Sequence, residues 1–124
     1  MLQIPEEKMI IYRAAARARS QAKERKLKLM YNSGWELARA AAQLLKNEFA
    51  VDRVVIFGSM LDQKRIHLHS DIDLVAWGIP DRLYYRAVSR ILDINPEIPV
   101  DLLQGEYLPE YLLTVIKQQG VELL

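Results

Sequence analysis

Asp71 and Asp73 stand two residues apart in SDIDLVAW, and Gly58-Ser59 closes the apolar run VVIF ahead of them. Side chains two apart on a strand share one face, with Cα atoms about 7 Å apart. The pair therefore points one way while Ile72 and Leu74 point into the opposite layer. Two carboxylates brought to ~4 Å repel by roughly 4 kcal/mol at an effective dielectric near 20. A strand otherwise this apolar has no folding reason to carry them, and a divalent cation is the simplest group that offsets the repulsion. Glycine at the strand end allows a tight turn and a close approach by a ligand. Ser59 and the residues after it are expected to open a helix whose free N–H groups face an anion. A phosphate cradle beside a carboxylate pair is the layout of metal-assisted phosphoryl or nucleotidyl transfer.

These residues need strands and helices to hold them, and the patterning supplies both. Strand one is expected at about 52–57 and strand two at about 72–77. Pro80-Asp81 opens a helix to about Asp93 with Leu83, Ala87, Ile91 and Leu92 as its apolar stripe, and Asn95-Pro96 stops it. A third strand, 99–104, alternates Val100, Asp101 and Leu102, which turns Asp101 away from the core. Gln104-Gly105 leads to a helix from about 108 to 119, with Gly120 expected at its C′ position.

The N-terminal third reads as two helices. The first runs from 6 to about 30, opens after Pro5 with Glu6 and Glu7 at its positive end, and carries Ile11, Ala14, Ala15, Ala18 and Ala22 at helical spacing. Asn32-Ser33-Gly34 is expected to break it, with Ser33 and Glu36 forming a capping box for a second helix to about Asn47. The second stripe is Ala38, Ala41, Ala42, Leu45 and Phe49. One unbroken helix would be roughly 65 Å long, nearly twice the width expected of the domain, which favours the break. The order is helices, β, short helix, β, helix, β, helix. That is an α/β sandwich on a small mixed sheet, with 1–33 as an N-terminal helical extension and 34–124 as the core.

Composition narrows the classes further. At 124 residues, half of them apolar, the chain makes one domain with a core of its own. No apolar run reaches the length of a membrane span, and the N-terminus carries acidic residues where an export signal would be basic. There are no cysteines, which excludes disulfides, thiolate metal sites and cysteine nucleophiles and agrees with a reducing, cytoplasmic setting. The net charge is only +1, yet residues 13–28 hold seven Lys and Arg against Glu24 alone. That run is either the solvated face of a helix or a docking surface for an acidic partner or a nucleic-acid backbone.

Gly58-Ser59 followed by Asp71-x-Asp73, with Asp101 on a later strand in IPVDLLQ, resembles the signature of the polymerase-beta-type nucleotidyltransferase superfamily. The likeness is greatest to its small stand-alone branch, the minimal nucleotidyltransferases, and extends over roughly 35–124, including the closing helix LLTVIKQQGVELL. The resemblance implies that Asp71 and Asp73 hold Mg²⁺, that Asp101 helps activate the attacking hydroxyl and completes the metal site, and that Gly58 and Ser59 contact the phosphates of ATP. It further implies transfer of AMP to a tyrosine of a HEPN-family toxin, with this chain as the antitoxin of a toxin–antitoxin pair. The chain departs from the family in its connection, Met60 to Ser70, which is one residue longer than usual and lacks the arginine that often follows Gly-Ser. Lys64 or Arg65 is the candidate replacement for that phosphate contact. Two other readings remain: an antitoxin that binds without turnover, and a nucleic-acid-binding module built on the basic helix. His67 and His69 read as loop residues, because hard Mg²⁺ prefers oxygen ligands. Trp77, Tyr84, Tyr85, Tyr107 and Tyr111 read as core aromatics rather than base-stacking groups.

Overall fold

A computed structural model describes residues 4–66 and 71–124. Its elements are α1 (Glu6–Phe49), β1 (Arg53–Phe57), β2 (Ile72–Trp77), α2 (Tyr84–Ile94), β3 (Val100–Gln104), α3 (Glu110–Gln119) and β4 (Val121–Glu122). Short 3₁₀ turns at Gly58–Leu61, Gln63–Arg65, Asp81–Leu83 and Gly105–Tyr107 join them. The four strands form one mixed sheet in the order β3-β2-β1-β4. β1 is antiparallel to β2 and β4, while β2 and β3 run parallel across the α2 connection.

The period-two pattern sorts side chains onto two unequal faces. Val54, Ile56, Ile72, Leu74, Ala76 and Leu102 face α1 and α2, where they meet Ala38, Ala41, Leu45, Ala87 and Ile91 in the main core. The stripe expected for the second half of α1 is buried throughout. Each large side chain hidden there contributes about 1.5–3 kcal/mol, so this face carries most of the burial energy. The other face is thin: Val55 and Val75 pack with Ile116 of α3, edged by Phe57, Trp77, Leu103, Leu108 and Leu112. An ion pair of Arg90 with Glu48 ties α2 to α1, at 3.0 Å through Nε and 2.7 Å through Nη2.

Three expectations are corrected. The first is the break at Asn32–Gly34: α1 is one helix of 44 residues, and Ser33 and Glu36 lie in its interior. Gly34 serves close packing instead, because a Cβ there would overlap the Met60 side chain. The length objection fails because the N-terminal half is not packed into the domain; it projects from it, exposed along most of its length. The second concerns Gly120, whose φ of −69° is not the left-handed conformation of a C′ glycine. Its Cβ would meet Val55 and the carbonyl of Ile116, so the missing side chain lets the chain pass over the sheet and form β4, an element the sequence reading did not include. α1 ends on the left-handed residue instead, at Ala50 with φ 53°. The third is the helix after Ser59, which is a four-residue 3₁₀ turn. Met60 is drawn into the core beside Gly34, and extended Asp62 stops the turn.

Candidate functional site

Asp73 and Asp101 lie opposite each other on β2 and β3, in register across the parallel pair. Both are on the thin face, shared with Val75 and Leu103, while their neighbours Ile72, Leu74 and Leu102 are buried on the other side. Cα atoms of paired strands are about 4.8 Å apart, so the two carboxylates share one neighbourhood by construction. Asp71 sits just before β2, exposed. Its charge reaches Asp73, whose carboxyl is held above the usual aspartate range by burial first, then by Asp101 and then by Asp71. Among the described residues no cation figures in these influences, and the carboxylates add like charge on an apolar sheet.

Gly58 completes the cluster from β1. Phe57 pairs with Asp73 across the antiparallel ladder, which brings the turn after β1 to this same end of the sheet. Gly58 has φ +81°, and a Cβ on it would collide with Asp73 Oδ2. Only glycine both adopts that conformation and leaves room for the carboxylate. Ser59 follows, partly buried, at the start of the 3₁₀ turn. The expected grouping of Gly58, Ser59, Asp71, Asp73 and Asp101 is therefore a single locality.

Lys64 and Arg65 are exposed on the next 3₁₀ turn, which the Asp62 side chain caps by accepting the Lys64 N–H at 2.9 Å. Among the described residues neither makes an ion pair with the carboxylates. Ser70, His67 and His69 lie outside the described residues. Among the described residues no three acidic or histidine side chains are drawn up as a finished metal cage. The donors nevertheless fit a hard divalent ion, since they are all carboxylate oxygens, and the upward shift at Asp73, set by burial first and by Asp101 and Asp71 after it, is one that a bound cation would oppose.

Tyr84 is a site neighbour that no motif announced. Its hydroxyl donates to the carbonyl of Leu102 at 2.5 Å, and its pKa is raised by burial first, then by Asp101. The tie fixes β3 at the residue after Asp101. Tyr85, by contrast, is 83% exposed and so is no core aromatic. Tyr107 and Tyr111 are exposed as well, while Trp77 lies at the far end of β2 beneath the Arg53 guanidinium.

Sheet order, unequal faces and helix placement give an α/β fold that solved toxin–antitoxin structures share. No protein-family model and no curated protein matches the chain. Solved structures do. A toxin–antitoxin structure with AMP-PNP aligns at TM-score 0.57 and 19% identity, over 69% of this chain and 72% of that one. A mutant form of the toxin–antitoxin MntA-HpeT aligns at TM-score 0.55 and 17% identity, over 67% and 68% of the two chains. A structure from Shewanella oneidensis aligns at TM-score 0.54 and 13% identity, over 71% and 69%. At these identities the likeness is one of fold.

Proposed function

We propose that this chain is a Mg²⁺-dependent nucleotidyltransferase that moves AMP from ATP to a tyrosine hydroxyl of a HEPN-family toxin and thereby acts as its antitoxin. The observation that carries the reading is the in-register Asp73–Asp101 pair, with Gly58 against Asp73, where the absence of a Cβ leaves room for the carboxylate. Support for the donor and the setting comes from the shared fold with a toxin–antitoxin structure with AMP-PNP.

Asp71, Asp73 and Asp101 are the residues that would hold Mg²⁺, which when bound supplies charge neutralisation on the triphosphate. Gly58 and Ser59 bind and orient the phosphates, and Lys64 or Arg65 adds a cation from the following turn. The tyrosine oxygen forms a bond to the α-phosphorus as the bond to the bridging oxygen breaks and pyrophosphate leaves. The displaced proton passes to a carboxylate oxygen of Asp101 and on to solvent. Tyr84 holds β3 so that Asp101 stays aligned with Asp73, and positioning of this kind supplies much of the rate.

The test incubates the purified chain with Mg²⁺, α-labelled ATP and the HEPN-family protein encoded beside it. Label is expected on the partner, and Asp71→Ala/Asp73→Ala is expected to abolish it. Tight association of the two proteins without label would overturn transfer and leave a binding-only antitoxin.

A further inference from the structure

The N-terminal half of α1 presents a face that its own domain cannot cover. Eighteen residues make five whole turns, so Ile11, Ala15, Ala18, Ala22 and Leu29 lie in line with Leu29, Ser33, Glu36, Ala40 and Asn47 on the same helix. The last four of these are exposed on the side of α1 turned away from the sheet, opposite the buried row of Leu37, Ala38, Ala41 and Leu45. The stripe on the projecting arm therefore points outward, about 27 Å long, with Ile11 and Leu29 each 66% exposed.

Charge borders the stripe on both flanks. Lys8, Arg19, Arg25 and Lys26 each stand three or four positions from a stripe residue, which makes them its surface neighbours, with Glu7 as the one acidic neighbour at the N-terminal end. Residues 6–30 carry eight Lys and Arg against three Glu, a balance of +5, while the rest of the chain sums to −4. Among the described residues the ion pairs involve Arg53 and Arg90, and none involves a cation of the arm.

We propose that the outward face of this arm docks an acidic, amphipathic α-helix of another protein. The apolar side of that helix covers Ile11 and Leu29, packing closely against the alanines between them, and its carboxylates meet Lys8, Arg19, Arg25 and Lys26. Charge complementarity selects this occupant. A second copy laid on the same face would bring two +5 arms together, and like charges at such an interface oppose association. A nucleic-acid backbone would satisfy the cations but leave Ile11 and Leu29 in water. The inference stands apart from the transferase reading, since no residue of the carboxylate site takes part.

The experiment uses the full chain and a synthetic 28-residue helix with a Leu/Ala stripe flanked by Glu, in an anisotropy titration. Three controls accompany it: the same peptide with Lys for Glu, an equally acidic peptide without the stripe, and a 24-base-pair RNA duplex. The acidic striped helix is expected to bind at least about tenfold tighter than either control peptide, and Ile11→Glu/Leu29→Glu to weaken it at least about tenfold. Both positions are exposed, so the thermal transition of the variant is expected to match wild type. Equal binding of all peptides, binding of none, or binding of the acidic helix that survives Ile11→Glu/Leu29→Glu overturns the proposal. Duplex RNA bound more tightly than the acidic helix overturns it in favour of a nucleic-acid arm. A dimer in sedimentation that Ile11→Glu/Leu29→Glu dissociates overturns it in favour of a second copy.

Discussion

Replacing Asp73 with asparagine should make the protein more stable. The side chain keeps its shape beside Gly58 and loses only its charge, which burial, Asp101 and Asp71 all oppose. Two carboxylates about 6 Å apart repel by roughly 1.4 kcal/mol at an effective dielectric near 40, between the surface and bulk-water values. Solvent screening at these partly exposed positions brings the expected gain to about 1 kcal/mol, or a rise of about 3–5 °C in Tm for a domain of this size. The sign with pH follows from the raised folded pKa. Protonated Asp73 favours folding, so its contribution is fully present below the unfolded aspartate value near 4 and is lost as pH rises through the higher folded value. The advantage of Asp73→Asn over wild type should thus be largest at neutral pH and shrink toward acid. Urea titrations of both proteins from pH 7 down to about pH 4 would measure it. In an Asp101→Asn background the gain should be smaller, because part of the repulsion is already gone. A Tm that falls at pH 7, or a gain unaffected by Asp101→Asn, would refute the shared-neighbourhood argument.

Gly58→Ala should cost about 1–3 kcal/mol through its positive φ and displace the Asp73 carboxylate, abolishing label transfer while circular dichroism remains native. Ala50→Gly should stabilise by about 1 kcal/mol, since Ala50 closes α1 in the left-handed region that glycine adopts freely; a thermal melt reads it directly. Tyr84→Phe should cost about 1 kcal/mol by removing the donor to the Leu102 carbonyl, and should slow transfer by loosening β3 beside Asp101. Leu45→Ala should cost about 2–5 kcal/mol, because Leu45 is fully buried between α1 and the sheet; chemical denaturation measures the loss.

The strands were legible as short apolar runs with local alternation around Asp71–Leu74 and Val100–Leu102, and β2 was expected at 72–77, the span it occupies. The same alternation put Asp73 and Asp101 on the face away from the main core before any pairing was known. Their mutual register was not legible, since it depends on α2 returning the chain parallel to β2. α1 misled for a specific reason. Asn32-Ser33-Gly34 has the residue types of a break, yet these are local preferences worth about 1 kcal/mol at Gly34, and burial of Leu37, Ala38, Ala41 and Leu45 just beyond it outweighs them. Two-residue β4 carries no pattern long enough to read, and Tyr84's bond to a carbonyl 18 residues away leaves no trace in sequence spacing.

The pairing of Asp73 with Asp101 also acts as a ratchet on how the chain can fold and diverge. A one-residue slip between β2 and β3 would carry Asp101 to the face of Leu74 and Ala76 and turn Leu102 out to water. A lone carboxylate forced among those side chains costs several kcal/mol, comparable to much of a domain's net stability. Misregistered sheets are therefore rejected by the residues that also form the polar cluster. For the same reason, a single-residue insertion within either strand needs a bulge to keep the aspartates off the core face.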